Sequence, residues 1–126
     1  MKKAGKKGVL IVDDATYVRN RLKKIVETLE IAEVVGEASN GEEAVLLYKD
    51  LKPDLVTMDL VMPNYDGLQA IDTIMKFDKS AKIVVVSAMG QELSVSEAIE
   101  KGAKDYIKKP FKDADVSVIF ERLLNQ

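Results

Sequence analysis

The chain has 126 residues, 47% of them apolar, with 19 Lys and Arg against 21 Asp and Glu for a formal net charge of −2. That length suits one domain able to bury roughly two-thirds of its unfolded surface, and the near balance of charge argues against a nucleic-acid partner. The chain has no cysteine and no histidine; this excludes disulfides, thiolate catalysis, zinc-thiolate sites, a Ser-His couple and a phosphohistidine of its own, and agrees with a reducing compartment.

In chain order, residues 1–7 of "MKKAGKKG" read as a basic, solvated tail and residues 8–126 as the domain. The apolar run that follows, Val9–Val12, is too short for a signal peptide or a membrane span, so the reading is a soluble cytoplasmic protein with no membrane partner. Three β-branched runs, Val9–Val12, Leu55–Met58 and Ile83–Val86, lack polar alternation, as strands buried on both faces should. Two weaker strands are expected at Val34–Ala38 and Asp105–Ile107.

Between the strands lie helical spacings: Val18, Leu22, Ile25, Val26 and Leu29; Ala44, Val45, Tyr48 and Leu51; Leu68, Ile71, Ile74 and Met75; Leu93, Ala98 and Ile99; Val116, Ile119, Phe120 and Leu123. Asn40 stands three residues before Glu43 as in a capping box, and Gly102 suits a left-handed cap on the fourth helix. Strand then helix, five times over with short connections, predicts right-handed crossovers and a doubly wound parallel sheet with helices on both faces. The chain stops at Asn125-Gln126, which leads us to expect no effector domain.

The polar residues that matter follow the strands. Asp13 and Asp14 come after the first, Asp59 after the third, Ser87 after the fourth and Lys109 after the fifth. In an open doubly wound sheet these carboxyl ends border the ligand crevice, so side chains from four distant segments should converge. Taken singly, Asp14 suits a helix cap, Ser87 a buried hydroxyl bonded to backbone, and Lys109 a solvated surface charge; Asp59, ending the apolar run "LVTMD", resists such a reading. Three carboxylates in one cleft repel, and a hard divalent ion relieves them: magnesium prefers oxygen ligands and few carboxylates, while no calcium-loop pattern of the D-x-D-x-D-G kind is present.

The stretches "LIVDDA", "DLVTMDLVMPNYDG", "VVVSAMG" and "GAKDYIKKPF" together resemble the receiver domain of two-component response regulators in its stand-alone, CheY-like form. The resemblance implies a flavodoxin-like, five-stranded parallel sheet in order 2-1-3-4-5 with five helices. It makes Asp59 the phosphoacceptor, Asp13 and Asp14 ligands of Mg2+ together with Asp59 and the Val61 carbonyl, Lys109 the phosphoryl partner, Ser87 and Tyr106 the switch, and Lys109-Pro110 a cis peptide. The implied partners are a histidine kinase as phosphodonor and an output protein such as a flagellar switch component, met through the surface around the fourth helix, fifth strand and fifth helix. A phosphorelay intermediate or a regulator of another protein would use the same chemistry. A magnesium-dependent aspartyl phosphatase would want an acid where Val61 stands, and a flavodoxin-like mononucleotide binder would want a Ser/Thr- and Gly-rich loop where the chain has "DDATY". A degenerate interaction module would lack one of the five polar groups, and none is missing.

Overall fold

The computed structural model describes residues 5–126, and Lys2 and Lys3 of the basic tail lie outside the described residues. Strand and helix alternate as β1 (Lys7–Val12), α1 (Thr16–Glu27), β2 (Ala32–Ala38), α2 (Gly41–Leu51), β3 (Leu55–Asp59), α3 (Gly67–Phe77), β4 (Ile83–Ser87), α4 (Glu92–Lys101), β5 (Asp105–Lys108) and α5 (Asp113–Leu124). β1 thus starts at Lys7, a residue read as tail. All neighbouring strands are parallel, in the order β2-β1-β3-β4-β5.

Because side chains alternate across a strand, each apolar run feeds two cores. Leu10, Val12, Val56, Met58, Ile83 and Val85 pack with Ala44, Val45 and Tyr48 of α2 and Ile71 and Ile74 of α3. Val9, Ile11, Leu55, Val84, Val86 and Ile107 pack on the other face against Leu22, Ile25 and Val26 of α1 and Val116, Phe120 and Leu123 of α5. Burial on both faces is the physical reason for the unbroken hydrophobic runs.

The helix ends are held locally. Asn40 accepts the Glu43 N–H at 2.8 Å, but the Glu43 carboxylate reaches back to the Ser39 N–H at 2.8 Å rather than to Asn40. α3 carries a full capping box, Asp66 with Gln69, and Gly102 closes α4 at φ 124°. On α4 the sequence reading needs correction: Leu93 is 88% and Ile99 41% exposed, and Ala98 alone is buried. At 3.6 residues per turn, Leu93 lies about 140° round the helix from Ala98, so the two cannot share a face.

Behind the sheet, Lys82 just before β4 donates to the carbonyls of Leu123 at 3.0 Å and Gln126 at 2.7 Å. Among the described residues no helix is long and apolar enough to cross a membrane.

Candidate functional site

The carboxyl ends of the parallel strands share one edge of the sheet, and the five polar residues singled out above lie there. Asp13 continues the β1 ladder through its N–H, which donates to the Ala38 carbonyl at 3.0 Å. Its carboxylate Oδ1 then accepts the Ala15 N–H at 2.9 Å, turning the chain into α1. Ala15 occupies the N-cap of α1 without a side-chain cap bond. The cap reading of Asp14 is therefore wrong: Asp13 makes the turn, and Asp14 is exposed.

Asp59 ends β3 and is buried. The loop after it is anchored by the buried Leu60 and Met62, and Gly67 brings α3 in close, its N–H donating to the Leu60 carbonyl at 3.2 Å. A Cβ at Gly67 would run into the Asp59 carbonyl oxygen, so the approach of α3 to the acid requires glycine.

Asp13, Asp14 and Asp59 each present a carboxylate oxygen, all within 4.8 Å of one another. Lys109 faces them, its Nζ 3.2 Å from Asp13 Oδ2 and 3.8 Å from Asp59 Oδ1. Lys109 is thus an ion-paired group, not a solvated charge. One ammonium does not balance three acids: burial first, then the charge of Asp13, push the Asp59 carboxyl up to about 7, against the pull of Lys109 and of the Val61 N–H. That N–H donates to Asp59 Oδ1 at 3.3 Å, while the Val61 side chain is exposed, as is that of Met89.

Ser87 is buried at the end of β4, one position beyond Val86, which pairs with Asp59. Its carbonyl accepts the Lys109 N–H at 2.6 Å, and the next peptide, Lys109-Pro110, is cis. Ser87 and the half-exposed Tyr106 line one cavity of about 260 Å³ together with Ala88, Glu92, Val95 and Lys108.

Arg19 escaped the sequence reading. It donates from Nη1 to the Asp13 carbonyl at 2.6 Å, a bond to main chain that no residue pattern announces. The acidic cluster itself offers only hard oxygen donors, and its surplus negative charge and the raised Asp59 carboxyl suit a small divalent cation such as magnesium.

Residues 9–121 match the family model described as the response regulator receiver domain. The chain is 58% identical over 110 residues to the chemotaxis protein CheY of Thermotoga maritima, covering 87% of this chain and 91% of that protein. To the chemotaxis protein CheY of Bacillus subtilis it is 47% identical over 117 residues, covering 93% and 97%. Among solved structures, the CheX-CheY-BeF3-Mg+2 complex from Borrelia burgdorferi matches with a TM-score of 0.84 at 38% identity, covering 92% of this chain and 89% of that one. These similarities favour neither the phosphatase nor the mononucleotide binder.

Proposed function

Since the chain belongs to the response regulator receiver family, we propose that its receiver unit, which β1 opens at Lys7, accepts a phosphoryl group on Asp59 from the phosphohistidine of a histidine kinase. The observation that carries this is the meeting of Asp13, Asp14 and Asp59 within 4.8 Å beside the Lys109 ammonium.

An Asp59 carboxylate oxygen attacks phosphorus in line; the new O–P bond forms as the P–N bond to the donor imidazole breaks, and the imidazole leaves with a proton from solvent. The product is an acyl phosphate. In this step Lys109, paired with Asp13 and Asp59, supplies positive charge to the equatorial oxygens. Asp13, Asp14, Asp59 and the Val61 carbonyl would hold Mg2+, which when bound supplies positive charge to the phosphoryl oxygens. The Ser87 hydroxyl then donates to the new dianion. Because Ser87 and Tyr106 wall the same cavity, a displaced Ser87 changes the space open to the Tyr106 ring and with it the surface formed by α4, β5 and α5.

In this reading the chain is a phosphoacceptor that loads and unloads itself in the cytoplasm, not a turnover enzyme. Its relatives of Thermotoga and Bacillus are chemotaxis proteins, which supports chemotaxis as the pathway and a flagellar switch component as the output partner. The test is direct. Magnesium with acetyl phosphate should add one base-labile phosphoryl mass to the wild type and none to Asp59→Asn; the same labile mass on Asp59→Asn would overturn the assignment. Binding of the phosphorylated chain to a flagellar switch protein, absent with Asp59→Asn, tests the output.

A further inference from the structure

Arg19, one turn into α1, serves main chain instead of a carboxylate of the acidic cluster. Its Nη1 donates to the Asp13 carbonyl at 2.6 Å and its Nη2 to Thr16 Oγ1 at 3.2 Å. Its Nε lies 3.4 Å from Glu37 Oε1 on β2, and Arg19 is only 17% exposed. Glu37 is itself held by Lys23 at 3.1 Å.

The other polar groups of Asp13 are anchored separately: N–H on Ala38 at 3.0 Å, Oδ1 by Ala15 at 2.9 Å, Oδ2 by Lys109 at 3.2 Å. The carbonyl belongs to the peptide that joins Asp13 to Asp14, and Arg19 is what holds it. A guanidinium fork braced on a second strand by an ion pair fixes a peptide plane in a way that a single flexible donor does not.

We propose that Arg19 is a positioning residue for divalent-metal binding: by fixing the Asp13-Asp14 peptide it keeps both carboxylates aimed at the cluster with Asp59. This rests on the receiver reading above, and Arg19 itself touches neither metal nor phosphoryl group.

Two effects of opposite sign make the idea decidable. As a positive charge near the acids, Arg19 repels a divalent ion, so charge alone predicts tighter binding once it is removed. As the support of a ligand-bearing peptide, its loss loosens the site, and such supports are typically worth about 10- to 100-fold in metal affinity. The charge effect is weakened by solvent and salt around the exposed Asp14, so positioning dominates.

The experiment titrates wild type, Arg19→Met and Arg19→Lys with magnesium chloride in a calorimeter, alongside amide exchange of the metal-free proteins. Arg19→Met should bind magnesium about tenfold more weakly. Arg19→Lys, with charge but one donor head, should fall between. Exchange should quicken at the Asp13 and Ala15 amides while the Val56 amide, bonded to the Lys82 carbonyl at 2.9 Å, keeps its rate; a general loss of stability would move all three. Magnesium binding by Arg19→Met as tight as wild type, or tighter, overturns the proposal and leaves the receiver reading intact. So does wild-type affinity in Arg19→Lys. A wild type that neither binds magnesium nor takes a phosphoryl group on Asp59 removes both.

Discussion

The Lys109 ammonium sits 3.2 Å from Asp13 Oδ2, so the cation proposed to meet the phosphoryl group is already paired with an acid proposed to hold the metal ion. Lys109→Met removes this competitor and should tighten magnesium binding by roughly three- to tenfold. Phosphoryl uptake from acetyl phosphate should meanwhile slow by at least about tenfold, because the transferring oxygens lose their charge partner. Calorimetry and timed intact-mass measurement read the two numbers, and a change of both in the same direction would show that Lys109 does not stand between metal and phosphoryl group.

Acidity gives a second prediction. Asp59 moves from 3.8 in its ordinary state up to about 7, through burial and the charge of Asp13. Between those values the folded chain holds a proton here that the unfolded chain has lost, so this group's contribution to stability falls as pH rises through the window. In the presence of a chelator, Asp59→Asn should gain on the wild type by about 2–4 kcal/mol between pH ~4 and pH ~8. Urea unfolding of both proteins at each pH measures the difference, which cancels the trends of other carboxylates; a constant difference would mean that Asp59 is ionised throughout.

Thr57 supplies a third. Its hydroxyl is buried within β3 with no hydrogen-bond partner among the described residues, and valine has nearly its shape without the desolvation cost. Thr57→Val should stabilise the fold by about 1–2 kcal/mol, seen as a melting temperature higher by roughly 4–8 °C. A lower melting temperature would place a polar partner, such as a buried water, beside that hydroxyl.

The phosphoryl group's lifetime is the fourth. Val61 and Met89 are both exposed, two residues past Asp59 and Ser87, and neither side chain can hydrogen-bond an attacking water. Introducing Val61→Asn with Met89→Glu should shorten the half-life of the labile mass several-fold, since orienting water is most of what this hydrolysis asks of a protein. Equal decay in the two proteins would assign the lifetime to other residues.

The strands and the acid, serine and lysine positions were readable from the chain because one physical condition, burial on both faces, writes itself as unbroken apolar runs, and the polar residue that interrupts each run marks its carboxyl end. α4 was misread because periodicity records spacing, not which neighbours a helix has: α4 buries Ala98 alone and leaves Leu93 in solvent. Which of two adjacent acids makes the turn after β1 is not legible in the chain, since Asp13 and Asp14 are alike in type and only the backbone path decides which carboxylate meets the Ala15 N–H. Arg19 was invisible because its partner is a carbonyl, a group that every residue carries.

The tether of Lys82 to the last turn of α5 has a practical side for anyone attaching something to this molecule. Lys82 precedes β4, and β1 begins at Lys7. In a sheet whose strands all run the same way, these points belong to the rim opposite Asp59 and Ser87, a separation of roughly 16 Å along a five-residue strand. A fluorescent reporter or surface linker joined at either of the two points would hang from the rear of the molecule, leaving the approach of a phosphodonor clear.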